Sequence, residues 1–76
     1  MSKKDLKYIS TVTRNSANWE IYTQRDGDFI DIWIKKEGYG LMDYVIGVFY
    51  TRNWRDVTAG CIMDAIDATK DDPRYE

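Results

Sequence analysis

The chain has 76 residues, a formal net charge of −2, 43% hydrophobic residues and 14% aromatic residues. Its length suits one domain spanning residues 1–76, and its hydrophobic content is too high for a disordered chain. The negative charge argues against a general nucleic-acid binder, because such proteins depend on clustered Lys and Arg.

The composition also indicates the cellular compartment in which the protein is expected. Cys61 is the only cysteine, so an internal disulfide is impossible and a reducing compartment is expected. No apolar run approaches the roughly 20 residues of a membrane span. The charged segment Met1 to Leu6 lacks the apolar region of a signal peptide. We therefore expect a cytoplasmic protein with no membrane association.

The first half of the chain predicts three antiparallel strands. β-branched and aromatic residues mark strands at Lys7–Thr13, Trp19–Gln24 and Phe29–Lys35, with a turn over residues 15–18. Asp26-Gly27 then favours a two-residue type I′ hairpin, whose central residues both need positive φ. That turn fixes the pairing of the second and third strands and so decides which side chains share a face.

With this turn, one face of the hairpin is apolar and the other is mixed. The apolar face pairs Thr23 with Ile30, Ile21 with Ile32 and Trp19 with Ile34. We expect it to be the core. The second face carries Glu20, Tyr22, Gln24, Phe29, Asp31 and Trp33. We expect this face to remain open to solvent.

The second half predicts a further element and a helix. The apolar run Leu41–Tyr50 favours a fourth strand, although a short buried helix has similar content. Asn53 resembles an N-cap with Asp56 as a capping-box partner, and a helix should follow over Trp54–Lys70. The predicted buried stripe of this helix is Trp54, Thr58, Cys61, Ile62, Ala65 and Thr69. The predicted class is therefore α+β: a sheet of three to four antiparallel strands with one or two C-terminal helices on one face.

The sequence offers little catalytic chemistry. Histidine is absent, and Cys61 falls on the apolar helix stripe with no base near it in sequence. A calcium loop starting at Asp26 would have Ile30 and Ile32 where ligands belong. We therefore expect a protein that is not an enzyme and that uses neither a cofactor nor a metal.

Two features exceed what folding requires. The first is the aromatic and acidic second face of the hairpin, which is typical either of cross-strand stabilisation or of an interface. The second is the acidic residues towards the C-terminus of the helix, Asp64, Asp67, Asp71 and Asp72, where the helix macrodipole disfavours negative charge. The spacing places Asp56, Asp64, Asp67 and Asp71 on one stripe. The stripe is either simply solvated or a patch that meets a basic partner.

Two segments resemble small phage-encoded type I-F anti-CRISPR proteins. The opening run Lys7-Tyr8-Ile9-Ser10-Thr11 is similar to the start of that family, and a hairpin with a turn glycine, here Gly27, follows in both. The segment Gly60-x-Ile62-x-Asp64-Ala65-Ile66-Asp67, with Pro73 beyond it, is similar to the family's closing helix. The resemblance covers about half of the chain and omits the middle, Lys35 to Val57.

The resemblance implies a function and a surface. Such proteins bind the repeated backbone subunits of an RNA-guided CRISPR surveillance complex in the bacterial host and block pairing of the guide with target DNA. The family's first binding tyrosine corresponds to Tyr8. The family's second binding tyrosine aligns with Gln24, and Tyr22 only lies near that position. A glutamate that follows the third strand in the family has Glu37 close to its position in this chain. To Tyr8, Tyr22 and Glu37 the second face of the hairpin adds Glu20, Asp31 and Trp33, and these six are the expected partner-binding residues.

Two other functions stay open at this stage. Tyr22, Phe29 and Trp33 could stack on single-stranded bases while Arg25, Lys35 and Lys36 hold phosphates. The interspersed Glu20 and Asp31 disfavour direct nucleic-acid binding of this kind. A homodimer that buries the aromatic face in a purely structural role is the other alternative.

Overall fold

Four β-strands and one α-helix follow one another along residues 6–75, the part of the chain that the computed structural model describes. Two short 3₁₀ turns, Thr69–Asp71 and Pro73–Tyr75, end this part of the chain. The elements are β1 (Lys7–Arg14), β2 (Ala17–Asp26), β3 (Phe29–Lys36), β4 (Asp43–Phe49) and α1 (Trp54–Ala68). The basic residues Lys3 and Lys4 lie outside the described residues.

The strands form a single antiparallel sheet in the order β1-β2-β3-β4, and α1 covers one side of it. The predicted α+β class is therefore confirmed. The ambiguous run over residues 41–50 contains strand β4, which confirms the favoured interpretation. Within residues 6–75, no helix has the length and apolarity that crossing a membrane requires.

The first hairpin turns more tightly than the sequence predicted. The predicted four-residue turn is two residues long, since Arg14 already pairs with Ala17. Asn15 and Ser16 both have positive φ, at 56° and 65°, as a type I′ turn requires. Asparagine tolerates this conformation better than most residues, whereas serine pays some strain for it.

The second hairpin corrects the predicted register. Asp26 pairs with Phe29, so the loop is Gly27-Asp28 and not Asp26-Gly27. Of the two loop residues only Gly27 has positive φ, at 62°, as in a type II′ turn. Every β2 residue consequently pairs two positions further along β3 than predicted: Thr23 opposite Ile32, Ile21 opposite Ile34 and Trp19 opposite Lys36.

The core forms on the predicted face despite this shift, because side chains alternate with a period of two. We call the sheet face towards α1 the inner face and the opposite one the outer face. The centre of the inner face is buried, and its buried residues are Trp19, Ile21, Thr23, Ile30, Ile32 and Ile34. Tyr75, from the last 3₁₀ turn, packs against Trp19 with ring centroids 5.4 Å apart.

The helix packs on this face along a ridge of every fourth residue. Trp54, Thr58 and Ile62 are buried as predicted, but the most deeply buried helix residue, Ile66, was not in the predicted stripe. The predicted members Cys61, Ala65 and Thr69 are only half-buried, since they lie on the shoulders of the ridge.

The start of α1 differs from the predicted capping box. Asn53 occupies the N-cap position, but its side chain caps no backbone N–H. Its Oδ1 atom instead accepts a hydrogen bond from Thr51 Oγ1 at 2.8 Å. The helix is also shorter than predicted, because residues 69–71 tighten into a 3₁₀ turn.

One residue of the predicted acidic stripe, Asp67, forms an internal ion pair. Arg14 donates two hydrogen bonds of 2.9 Å to the Asp67 carboxylate, and Asn15 Nδ2 donates a third. These bonds hold the pKa of Asp67 well below its ordinary value. Asp67 therefore ties the first turn to the end of α1 and is not part of a solvated patch, although Asp64 and Asp71 remain exposed.

The one-sided core gives a direct test. Ile32→Ala should lower the free energy of unfolding by about 2–5 kcal/mol, because Ile32 is completely buried on the inner face. Phe49→Ala is the matched control on the outer face. Phe49 is 63% exposed, and its stacking partner makes the expected loss about 1.5 kcal/mol or less. Urea unfolding of both variants measures the difference, and a larger loss in the Phe49 variant would show that the faces are reversed.

Candidate protein-binding surface

The outer face of the sheet is left open by the arrangement of the helix. Among residues 6–75, α1 and the two 3₁₀ turns follow β4, and the buried side chains of α1 join the inner-face cluster. The aromatic side chains Tyr8, Phe29, Tyr44 and Phe49 are correspondingly exposed. A four-stranded sheet with large rings on an uncovered face is a feature that the core does not account for.

Four aromatic rings, one from each strand, form a row that crosses the whole outer face. Tyr8 pairs with Tyr22, Tyr22 with Trp33, and Trp33 with Tyr44, so each strand contributes one ring at the same level. The rings of Tyr8 and Tyr22 meet edge to face with centroids 5.8 Å apart, and those of Trp33 and Tyr44 do so at 5.2 Å. We call these four residues the aromatic row.

Two irregularities in the strands complete the aromatic row. The register shifts between Tyr8 and Ser10 on β1, and again where Trp33 pairs with Tyr44 while Ile32 pairs with Ile46. At each point one strand has one more residue than its partner between successive pairs, as in a β-bulge. Regular alternation would put Tyr8 with Ser10, and Tyr44 with Ile46, on the inner face. The bulges move both tyrosines to the outer face.

Carboxylates lie beside the hydroxyl groups of the row. Tyr22 donates a 2.8 Å hydrogen bond to Glu20 Oε1, and this bond, with some burial, raises the pKa of Tyr22. Tyr44 donates a longer bond, 3.4 Å, to Asp31 Oδ1. Its pKa is raised mainly by burial and secondly by the charge of Asp31. Both phenols therefore stay neutral and remain hydrogen-bond donors at physiological pH.

Gly47 makes room for one of these contacts. It pairs with Asp31 on the outer face. A Cβ atom at Gly47 would lie 2.5 Å from Asp31 Oδ1 and 2.7 Å from the Tyr44 hydroxyl. Glycine thus lets the carboxylate and the hydroxyl approach the backbone of β4, and any side chain there would displace both.

A second aromatic pair extends the surface towards the Gly27-Asp28 loop. The rings of Phe29 and Phe49 stack with their centroids 4.6 Å apart. They pair across β3 and β4 at the ends of the two strands, and they are 47% and 63% exposed. Stacking on each other reduces their contact with water, yet it leaves one apolar flank of the pair accessible.

The outer face is negatively charged. Its carboxylates are Glu20, Asp26, Asp31 and, at the margin, Glu37. Glu37 accepts a 3.1 Å hydrogen bond from Asn18 Nδ2. Of the cations on β2 and β3, alternation places Lys35 on the outer face. The Nζ atom of Lys35 lies 3.9 Å from Glu20 Oε1. The neutral rings are therefore surrounded by an excess of carboxylates.

The predicted site residues largely come together. Tyr8, Glu20, Tyr22, Asp31 and Trp33 share the outer face, whereas Glu37 lies at its edge after β3. Tyr8 is 51% exposed, while Tyr22 and Trp33 are half-buried by their neighbours in the row. The predicted exposure of the Trp33 face is thus correct for the face, but Trp33 itself is partly covered.

Sequence reasoning missed Tyr44 and Phe49. The sequence favours a strand for the run containing them, with a short helix as the alternative, but the faces of the strand could not be derived because a bulge interrupts the alternation. The spacing Tyr44-x-x-Gly47-x-Phe49 was the available signal, since glycine inside a strand often marks a bulge or a close approach.

The remaining chemistry of the described residues is sparse. No group of three or more Cys, Asp or Glu side chains in residues 6–75 is arranged to hold a metal ion. Comparison of the chain with protein-family models, curated proteins and solved structures found no match in any of the three.

The tyrosine–carboxylate contacts predict separable titrations. Glu20→Gln should lower the pKa of Tyr22 towards its ordinary value near 10, because the carboxylate that favours the neutral phenol is gone. Asp31→Asn is the matched control: it should lower the pKa of Tyr44 and leave that of Tyr22 unchanged. NMR titration of the tyrosine ring carbons measures both. An unchanged Tyr22 in the Glu20 variant would contradict the hydrogen bond.

Proposed function

We propose that this protein is a non-catalytic inhibitor that binds the guide-bearing backbone subunits of a CRISPR surveillance complex in a bacterial host and prevents target DNA from pairing with the guide. The observation that carries the proposal is the aromatic row on the open face of the sheet, flanked by carboxylates. The sequence resemblance described above supports the choice of partner.

The aromatic row has the physical properties of an interface core. Tyr and Trp supply large contact areas with few rotatable bonds, so little conformational entropy is lost on binding. Edge-to-face contacts already hold Tyr8 against Tyr22 and Trp33 against Tyr44. Such preorganisation lowers the entropic cost of association further. Strands also hold these rings more rigidly than loops would.

The charge of the outer face supports a basic partner. Protein subunits that hold a guide RNA along its backbone present positively charged channels. Glu20, Asp31 and Glu37 would complement such a surface, and complementary charge accelerates association and rejects partners of like charge. Occupying that surface would keep target DNA away from the guide. The proposal includes no chemical step.

The positions of the cations do not support the alternative of single-strand nucleic-acid binding. Arg25 pairs with Ile30 and Lys36 with Trp19, so both alternate to the inner face. Lys36 lies 4.8 Å from the Tyr39 ring, away from the aromatic row. Lys35 does share the outer face, but it lies beside Glu20. The rings are therefore not interleaved with phosphate-binding side chains.

Truncating the exposed ring of the row tests the function. Tyr8→Ala should weaken binding to a purified type I surveillance complex by about thirtyfold, the usual cost of about 2 kcal/mol for losing an aromatic anchor. It should restore binding of target DNA by the same factor. Tyr22→Ala should act in the same direction. Tyr50→Ala is the matched control, because Tyr50 is similarly exposed but contacts Arg25 away from the outer face.

Binding of the complex to target DNA with and without the inhibitor provides the readout, with circular dichroism to verify folding. If the wild-type protein neither co-purifies with the complex nor blocks DNA capture, the proposed partner is wrong. If Tyr50→Ala weakens inhibition as much as Tyr8→Ala does, the outer face is not the binding surface. A stable dimer in sedimentation that Tyr8→Ala dissociates would favour the structural homodimer instead.

A further inference from the structure

A second polar site lies on the opposite side of the sheet. A cleft of about 530 Å³ opens between the inner face, near the β2–β3 loop, and the start of α1. Its lining includes three cations, Lys7, Arg25 and Arg55, and the aromatic rings of Tyr50 and Trp54. The outer-face function does not use this cleft.

The cleft is a concentration of positive charge in a chain of net charge −2. Lys7 comes from β1, Arg25 from β2 and Arg55 from the first turn of α1, so three separate elements each bring one cation. No Asp or Glu lines the cleft, and among the described residues none of the three cations forms an ion pair. Three neighbouring like charges are unfavourable unless an anion joins them.

Arg25 is held in place by two neighbouring groups, and Arg55 lies near one aromatic ring. The guanidinium of Arg25 lies 3.7 Å from the centroid of the Tyr50 ring, and its Nε atom donates a 2.8 Å hydrogen bond to the carbonyl of Gly27. Arg55 lies 5.2 Å from the ring of Trp54. Stacking on a ring fixes the plane of a guanidinium and leaves its terminal N–H groups for an oxyanion.

The start of α1 adds to the positive potential of the cleft. Trp54 and Arg55, its first two residues, line the cleft, and no side chain caps this end of the helix. The free N–H groups of a first helical turn attract anions. Asp56 is in the same turn, but it does not line the cleft.

We propose that this cleft binds the phosphoryl group of a small, nucleotide-sized ligand. Three cations facing one space favour an anion of more than one charge, and arginine forks match the oxygens of phosphate. The volume of the cleft lies within the usual range for small-molecule sites, about 300–1,000 Å³. Because the cleft and the aromatic row lie on opposite sides of the sheet, the ligand and a protein partner can be bound together.

The test is an NMR titration of the full chain with sodium pyrophosphate at constant ionic strength. Amide shifts of Arg25 and Arg55 should saturate, and Arg25→Gln and Arg55→Gln should each weaken binding at least fivefold. Lys70→Gln is the control that removes an exposed cation outside the cleft, and it should leave binding unchanged. Shifts that do not saturate, or equal weakening by Lys70→Gln, would overturn the proposal. Both arginines are exposed, so the variants should fold.

A second arm separates the two sources of phosphoryl groups. Adenosine monophosphate should bind at least as tightly as pyrophosphate, because the rings of Tyr50 and Trp54 can contact the base. A dodecamer of single-stranded DNA should bind more tightly than adenosine monophosphate only by the statistical factor that its larger number of phosphates provides. Binding of the dodecamer more than a hundredfold tighter than the mononucleotide, and lost in Arg25→Gln, would overturn the small-ligand assignment in favour of a nucleic-acid strand.

Discussion

The burial of one sheet face against one helix is the constraint on which the rest of the structure depends. The inner-face isoleucines are dehydrated chiefly by α1, which lies across them. One helix can cover one face of a four-stranded sheet, so the outer face stays in contact with water. Any side chain that alternation or a bulge sends to that face becomes part of the surface.

The two bulges turn this uncovered face into a defined site. They bring Tyr8 and Tyr44 into line with Tyr22 and Trp33, so that rings from all four strands share one level. Bulges locally disrupt the strand ladder, and they often occur where a side chain must be redirected for function. The same sheet separates charge, with carboxylates around the outer row and the cations Lys7, Arg25 and Arg55 at the inner cleft. The two sides of the sheet therefore carry opposite charge.

Much of the fold follows from residue patterns, and the errors have identifiable causes. The faces of the central hairpin were predicted correctly although its pairing was wrong by two positions, because a shift of two preserves alternation. The turn type was the source of that error, since Gly27 serves as the first loop residue and not the second. Tyr44 was missed because a bulge interrupts the alternation of β4, and Gly47, which marks an irregular strand, does not show at which residue the bulge falls. Asp67 was misplaced because its partner, Arg14, is 53 positions away, a distance that local spacing cannot bridge.

If the outer face, and no other, meets the partner proposed above, the aromatic rings of that face should lose exposure to solvent on binding. Hydroxyl-radical footprinting of the protein, free and bound to the surveillance complex, measures this loss because it reports the solvent exposure of individual aromatic rings. Tyr8, Tyr44 and Phe49 should be protected, and the rate of modification should be unchanged at Tyr50, whose ring belongs to the inner cleft. Protection of Tyr50 with continued modification of Tyr8 and Tyr44 would show that a different surface meets the partner.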